Sequence, residues 1–201
     1  AKHKQTGNFK FAGVTHGFTE PHSAVAMWNG DETLTIISAT QVPHYLQKNL
    51  SKVLGLPLHK IQVKKPVLGG GFGGKSDPFP HEMIVSFLSK KIKRPVKCTF
   101  SREEVFITHH GRHPTEINMS LSCDDGGKIT ALDADIIIDG GAYGSFGVVT
   151  SYYNGVLLQG PYLIDKFGFR TRRTYTNKHQ CGAMRGHGAV NPRYAVETLL
   201  D

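Results

Sequence analysis

The sequence contains no apolar run approaching the roughly 18 residues that a membrane-crossing helix needs, so no membrane partner is expected. Cysteine is scarce. Cys98, Cys123 and Cys181 are odd in number and form no CxxC pair, which excludes a disulfide framework and an iron–sulfur binding motif. A reducing, cytoplasmic setting is the expectation that follows. The first ten residues carry charge with no apolar core behind them, so no secretory signal is expected. Acidic residues are few: 16 Asp plus Glu against 24 Lys plus Arg give a net charge of +8. The basic residues are scattered (Lys64 and Lys65, Lys90 to Arg94, Arg170 to Arg173) rather than massed in one block. A solvated basic face and a surface attracting an anionic cofactor, acyl-CoA or acidic partner both stay open; nucleic acid is not expected. There is no internal repeat and no low-complexity linker.

The 201 residues, 39% hydrophobic and 20% charged, are globular in composition and suffice for one region spanning 1–201. The 23 glycines fall in short clusters rather than a collagen-like repeat. Alternation predicts strands at Phe9 to Phe11, Ala24 to Trp28, Leu34 to Ile37, Lys60 to Val67, Val96 to Phe100 and Arg170 to Tyr175. It also predicts a hairpin of Thr115–Ser122 and Lys128–Asp139 around Asp124-Asp125-Gly126-Gly127. Helical spacing predicts a helix over His44–Leu54 closed by Gly55, and a second with Met83, Ile84, Phe87, Leu88 and Ile92 on one face. A last helix follows Pro192, with Asn191 as its expected cap. Gly140 to Gln159 has no assignable pattern. Strands and helices mix without βαβ alternation, which makes the class α+β. The final helix is still periodic at the last residue, so an incomplete portion of a larger chain is expected.

Gly69-Gly-Gly-Phe-Gly-Gly-Lys-Ser76 matches the letters of both GxxxxGK[ST] and GxGxxG. A phosphate loop needs a helix beginning at its lysine, yet Asp77-Pro78-Phe79-Pro80 follows, and both prolines oppose helical backbone there. No acidic residue closes a second strand at the dinucleotide spacing of about 20 residues. A nucleotide-binding phosphate loop is therefore the weakest of the alternatives. Five glycines in six residues either form a tight crossover with Phe72 in the core or bring the backbone close to a ligand. His109, His110 and His113 lack further ligands at zinc spacing, and we assign them no metal. Adjacent Glu103 and Glu104 read as salt-bridge and capping groups, not an acid–base pair.

Taken in order, Glu20-Pro21-His22, Thr40-Gln41, Val53-Leu54-Gly55-Leu56-Pro57, Gly69 to Lys75, Ser101-Arg102-Glu103-Glu104, Gly111-Arg112-His113-Pro114 and Arg185-Gly186-His187-Gly188 form one pattern. It resembles the molybdenum-binding region of the xanthine dehydrogenase and aldehyde oxidase family of molybdenum hydroxylases, from about Phe11 to the end. The resemblance implies the N-terminal part of a molybdopterin-binding domain. It implies oxidation at an electron-poor carbon of an aromatic, N-heterocyclic or aldehyde substrate. The cofactor would be molybdopterin, plain or as its cytosine dinucleotide. Partners would be the remaining C-terminal molybdopterin domain or subunit and FeS and FAD groups on other domains or subunits.

Residue by residue, the resemblance implies that Gln41 donates its side-chain amide to an oxygen on molybdenum. It implies that Phe72 and Gly73 turn backbone amides to the metal's apical ligand while Gly70, Gly71 and Gly74 let the loop approach. Arg185 matches the arginine of a second glycine loop. Gln41, Phe72 and Arg185 would surround the metal without ligating it. His187 falls where purine-oxidising members carry an aromatic residue against the substrate ring, and a core or solvent histidine is equally compatible. Ser76 replaces the glutamate that orients xanthine, which disfavours xanthine. Arg-Gly-His-Gly resembles the 4-hydroxybenzoyl-CoA reductase branch. Cys181 lies four residues before Arg185, out of register with the copper-binding cysteine of carbon monoxide dehydrogenases. The family's catalytic glutamate and most pterin contacts lie C-terminal to the matched segment, so the 201 residues alone are expected to show no turnover. The alternative within the same resemblance is a non-catalytic structural module.

Overall fold

A computed structural model describes residues 2–201 and divides them into two compact units, one from residues 16–109 and one from residues 2–15 with 110–201. Among the described residues, no helix is long and apolar enough to cross a membrane.

The second of these units is built on strands β1 (His3–Phe11), β6 (Thr115–Cys123), β7 (Ile129–Asp139) and β8 (Lys166–Thr174), in the order β1-β6-β7-β8. β6 and β7 form the expected hairpin. Asp124 Oδ1 accepts the N–H of Gly126 and of Lys128, and Gly127 takes the positive φ of 77° that the turn demands. Alternation along β6 and β7 sends Ile117, Met119, Leu121, Leu132, Ala134, Ile136 and Ile138 to one face. There they meet Leu158 of α4 (Gly147–Gln159) and Ala195 and Val196 of α5 (Val190–Leu200). The opposite face carries surface pairs such as Arg172–Asp135 and Lys10–Glu116.

Two expectations change here. The unassigned stretch contains helix α4, whose low amphipathicity hid it: Tyr152 and Leu157 are exposed while Thr150 and Asn154 are buried. Asn191 is not the cap of α5. Ala189 is, and Asn191, already inside the helix, donates to Thr115 Oγ1 at 3.0 Å.

The unit of residues 16–109 has the sheet β4-β3-β2-β5, from β2 (Ser23–Trp28), β3 (Leu34–Ser38), β4 (Ile61–Lys64) and β5 (Val96–Thr99). Leu46 and Leu50 of α1 (Pro43–Leu54) and Val85 of α2 (Pro80–Ile92) pack on Ala24, Ala26, Leu34, Ile36 and Ile61. Gly55 ends α1 in the left-handed region, as expected. A short helix α3 (Arg102–Thr108) follows β5; Ser101 and Glu104 cap it reciprocally. Helix α2 turns most of its expected apolar face outward, although Met83 of that face packs against the core. Ile84, Phe87, Leu88 and Ile92 face outward, and the buried side holds His81, Glu82, Ser86 and Ser89.

That inversion works because the buried polar groups are mostly bonded. Glu82 accepts from Ser38 Oγ and from Phe79 N–H, while Ser86 donates to Glu82 O. Burial pushes the Glu82 carboxyl up to about 7, against its bonds from Ser38 and Phe79. Its pKa is higher in the fold than in the unfolded chain. Its stabilising contribution is therefore complete below about 4.5 and is lost as pH rises through about 7. Glu82→Gln, which keeps the shape without the charge, should gain stability over the native protein as pH goes from 5 to 8. The gain should reach about 3 kcal/mol, read from denaturant midpoints of both proteins at each pH. A difference independent of pH would refute it. Neighbouring His81, pushed down to about 4 by burial, works the other way below pH 6.5 but is common to both proteins.

Candidate functional site

After β4 the chain runs through the glycine cluster, and each glycine has its own reason. A Cβ on Gly69 would stand 2.6 Å from Glu20 Cβ, on Gly71 2.5 Å from Gln41 Oε1, and on Gly74 2.7 Å from His16 Nδ1. Gly70 and Gly73 take φ of 99°, a region closed to other residues in practice. Phe72 also sits at positive φ, 53°, and is 42% exposed as a residue, so it is not the core plug that a simple crossover would use. Gly74 N–H donates to Gly71 O and Ser76 N–H to Gly73 O, which coils the loop into overlapping turns.

Gln41, just beyond β3, meets this loop three times. Its backbone N–H donates to Lys75 O at 2.8 Å, and its side-chain Oε1 accepts from Gly73 N–H at 3.0 Å and Lys75 N–H at 3.2 Å. With Oε1 taken by two donors, the amide orientation is fixed and Gln41 turns Nε2, a pure donor, away from the loop. The Gly73 amide is engaged by Gln41, which alters the direct role toward a metal ligand that the resemblance implies for it. Beneath the loop, Lys75 is buried and donates to Glu20 Oε2 at 2.7 Å. Burial pushes the Glu20 carboxyl up, but the Lys75 hydrogen bond, the Gly69 N–H and the Lys75 charge outweigh it and hold the pKa below its usual value. Buried His22 contacts Gly74 O through Nε2 at 3.2 Å. The nucleotide-loop alternative fails on this geometry. Its lysine is withdrawn into the interior and paired, and the following helix begins only at Pro80.

The other unit carries Arg185 and His187. Arg185 is exposed, and the guanidinium of Arg112 holds its segment through the carbonyls of Arg185 and Gly186. Gly186 and Gly188 both have positive φ, near 70°, and turn the chain into α5. His187 lies between the ring edges of Phe146 and Tyr153, with centroids 6.1 and 5.8 Å away. Thr150 Oγ1 is 2.5 Å from its Nε2. Because that hydroxyl donates to Phe146 O, His187 Nε2 is the donor toward Thr150. The cavity beside His187, also lined by Arg112, His113 and Asn191, measures only about 10 Å³. An aromatic ring does not enter it, so any ring packing on His187 must use its outer face.

Cys181 in this unit is pushed up to about 11, chiefly by burial and then by the Asp139 charge, so it remains a thiol. Among the described residues, no group of three or more His, Cys, Asp or Glu side chains is arranged to hold a metal ion. The residues named by the sequence reading fall into two groups in the structure: Gln41, Gly70, Gly71, Phe72, Gly73, Gly74 and Ser76 around one loop of one unit, and Arg185 with His187 in the other. It missed Glu20, Arg112 and Thr150 as supports. The first two stood within motif segments but had no assigned role, and Thr150 lay in the unassigned stretch.

The fold is one of known proteins. Quinoline 2-oxidoreductase from Pseudomonas putida 86 superposes with a TM-score of 0.94 at 30% identity, covering 99% of this chain and 26% of that one. The xanthine dehydrogenase molybdenum-binding subunit of Escherichia coli O157:H7 is 31% identical over 201 residues, all of this chain and 27% of the relative. The nicotinate dehydrogenase large molybdopterin subunit of Eubacterium barkeri is 33% identical over 188 residues, 94% of this chain and 44% of the relative. The chain thus spans between about a quarter and a half of these proteins' length. The family description "Molybdopterin cofactor-binding domain" matches residues 1–201, and the chain belongs to that family.

Proposed function

We propose that the protein is part of a molybdenum hydroxylase in which Gln41, the Gly70–Gly74 loop and Arg185 serve the molybdopterin site. The fixed Gln41 carboxamide carries this reading. Two loop amides occupy its Oε1, so its Nε2–H is preset as a donor before anything binds. The residues present fit the cofactor, whose oxygens and phosphate are acceptors and anions. Gln41 offers a donor, exposed Arg185 a cation, and the carboxylate bonded to the loop, Glu20, is neutralised by Lys75. When bound, the molybdenum cofactor supplies the two-electron redox change. This chain's residues orient, donate hydrogen bonds and exclude competing acceptors.

His187 is suited to an aromatic or N-heterocyclic ring on its outer face, and Ser76 offers no carboxylate for a purine. Quinoline 2-oxidoreductase, nicotinate dehydrogenase and the xanthine dehydrogenase subunit are all named for N-heterocycles and support that broad class; only Ser76, in place of a carboxylate, speaks against xanthine within it. The base, the other pterin contacts, the FeS and FAD groups and the choice between plain molybdopterin and its cytosine dinucleotide belong to further domains or subunits. With Cys98, Cys123 and Cys181 all free thiols, a reducing compartment such as the cytoplasm suits the chain.

The test is Gln41→Ala and Gln41→Glu in the complete, cofactor-loaded enzyme. Loss of one preset donor is expected to lower kcat about 10²–10³-fold. The glutamate should do no better, because it replaces the donor with an acceptor. An unchanged rate in Gln41→Ala would overturn the catalytic reading and leave a structural module of the same family.

A further inference from the structure

We propose that Glu20 and Lys75 form a clasp that shapes the glycine loop and so aims the Gln41 amide; both are positioning residues. The aim of Gln41 rests on the reading above, while the clasp itself does not. Glu20 Oε2 accepts the Gly69 N–H at 3.0 Å and Lys75 Nζ at 2.7 Å, so one carboxylate oxygen holds both ends of the loop. Glu20 N–H also donates to Gly69 O at 3.0 Å. At the far end, Lys75 gives its backbone N–H and C=O to Gln41, so the residue that closes the loop is the one that seats the carboxamide.

A segment with five glycines has many open conformations, and closing it needs an anchor at each end. Lys75 is a deep anchor. Its side chain is fully buried, and its ammonium lies 4.9 Å from the centre of the buried Phe18 ring. An ammonium placed there stays only while a carboxylate compensates it. Without Glu20, Lys75 must leave for solvent, and both of its backbone bonds to Gln41 move with it.

Glu20→Gln and the doubly neutral Glu20→Gln/Lys75→Met would be compared with the native complete protein. Without cofactor, hydrogen exchange followed by mass spectrometry should be at least tenfold faster over residues 69–76 in both variants. Peptides of α1 and α2 should be unchanged in the double variant, which buries no lone charge. In the loaded enzyme, the double variant should lose at least tenfold in kcat with KM within threefold, although its melting temperature returns toward native. Native exchange rates in the loop of the double variant would overturn the clasp, and this arm decides the case if Glu20→Gln alone fails to fold. Fast loop exchange with native kcat would overturn the link to Gln41. If Gln41→Ala also keeps native kcat, the fault lies in the functional reading and not in the clasp.

Discussion

Gly71→Ala should reduce turnover of the complete enzyme at least 100-fold, more than its single added methyl would suggest. The new Cβ would stand 2.5 Å from Gln41 Oε1, 2.8 Å from Cδ and 3.2 Å from Cγ. A flexible side chain at its far end would swing aside, but this carboxamide is held by the Gly73 and Lys75 amides. Either those two bonds break or the loop shifts as a whole, and both move the donor that Gln41 presents. We expect a stability loss of about 2 kcal/mol alongside, as for other overpacked sites. Gly30→Ala is the matched control. Its Cβ meets nothing within 4 Å and its φ is not positive, so activity and melting temperature should stay native. Native turnover in Gly71→Ala would mean that the Gln41 contact is dispensable.

The largest expected effect on stability lies in the other unit, at Gly141. Its φ is +67°, and a Cβ there would lie 2.1 Å from the backbone oxygen of His179 and 2.7 Å from its carbonyl carbon. Backbone cannot rotate away as a side chain does. The same residue donates its N–H to Asp139 Oδ1 and accepts from Thr176 N–H, so displacement also loses those bonds. Gly141→Ala should lower stability by about 3 kcal/mol or more, and the melting temperature by roughly 6–12 °C for a chain of this size. Gly144→Ala, three residues on in open space, should change it by less than about 2 °C. Equal melting curves for the two variants would refute the account of this turn.

The contrast between the two units tells what a sequence reveals. Ile117, Met119 and Leu121 alternate with Glu116 and Asn118, and only one face of a strand suits each set, so β6 was legible. Along α2 the period was equally clear, yet the buried face is the one with Glu82, Ser86 and Ser89. Periodicity reports that a helix has two faces; it does not report which face finds Ser38 and Phe79 N–H to satisfy buried oxygens. Helix α4 was illegible because Thr150 and Asn154 are buried through bonds to the helix's own carbonyls, which inverts the polarity that a helical pattern relies on. Around the loop, glycine density announced close approach but not what is approached. Gln41 lies 32 residues from Gly73 and Glu20 lies 55 from Lys75 in the chain. Those pairings came into view only through the resemblance or the structure.

The glycine loop also bears on portability. Its seven residues hold their shape through a carboxylate before β2, an amide after β3 and a histidine ring from the start of β2's approach. Moved alone into a foreign scaffold, Gly69 to Lys75 would bring composition without conformation. A graft that works must carry residues from at least three separate stretches, all of which lie within the unit of residues 16–109.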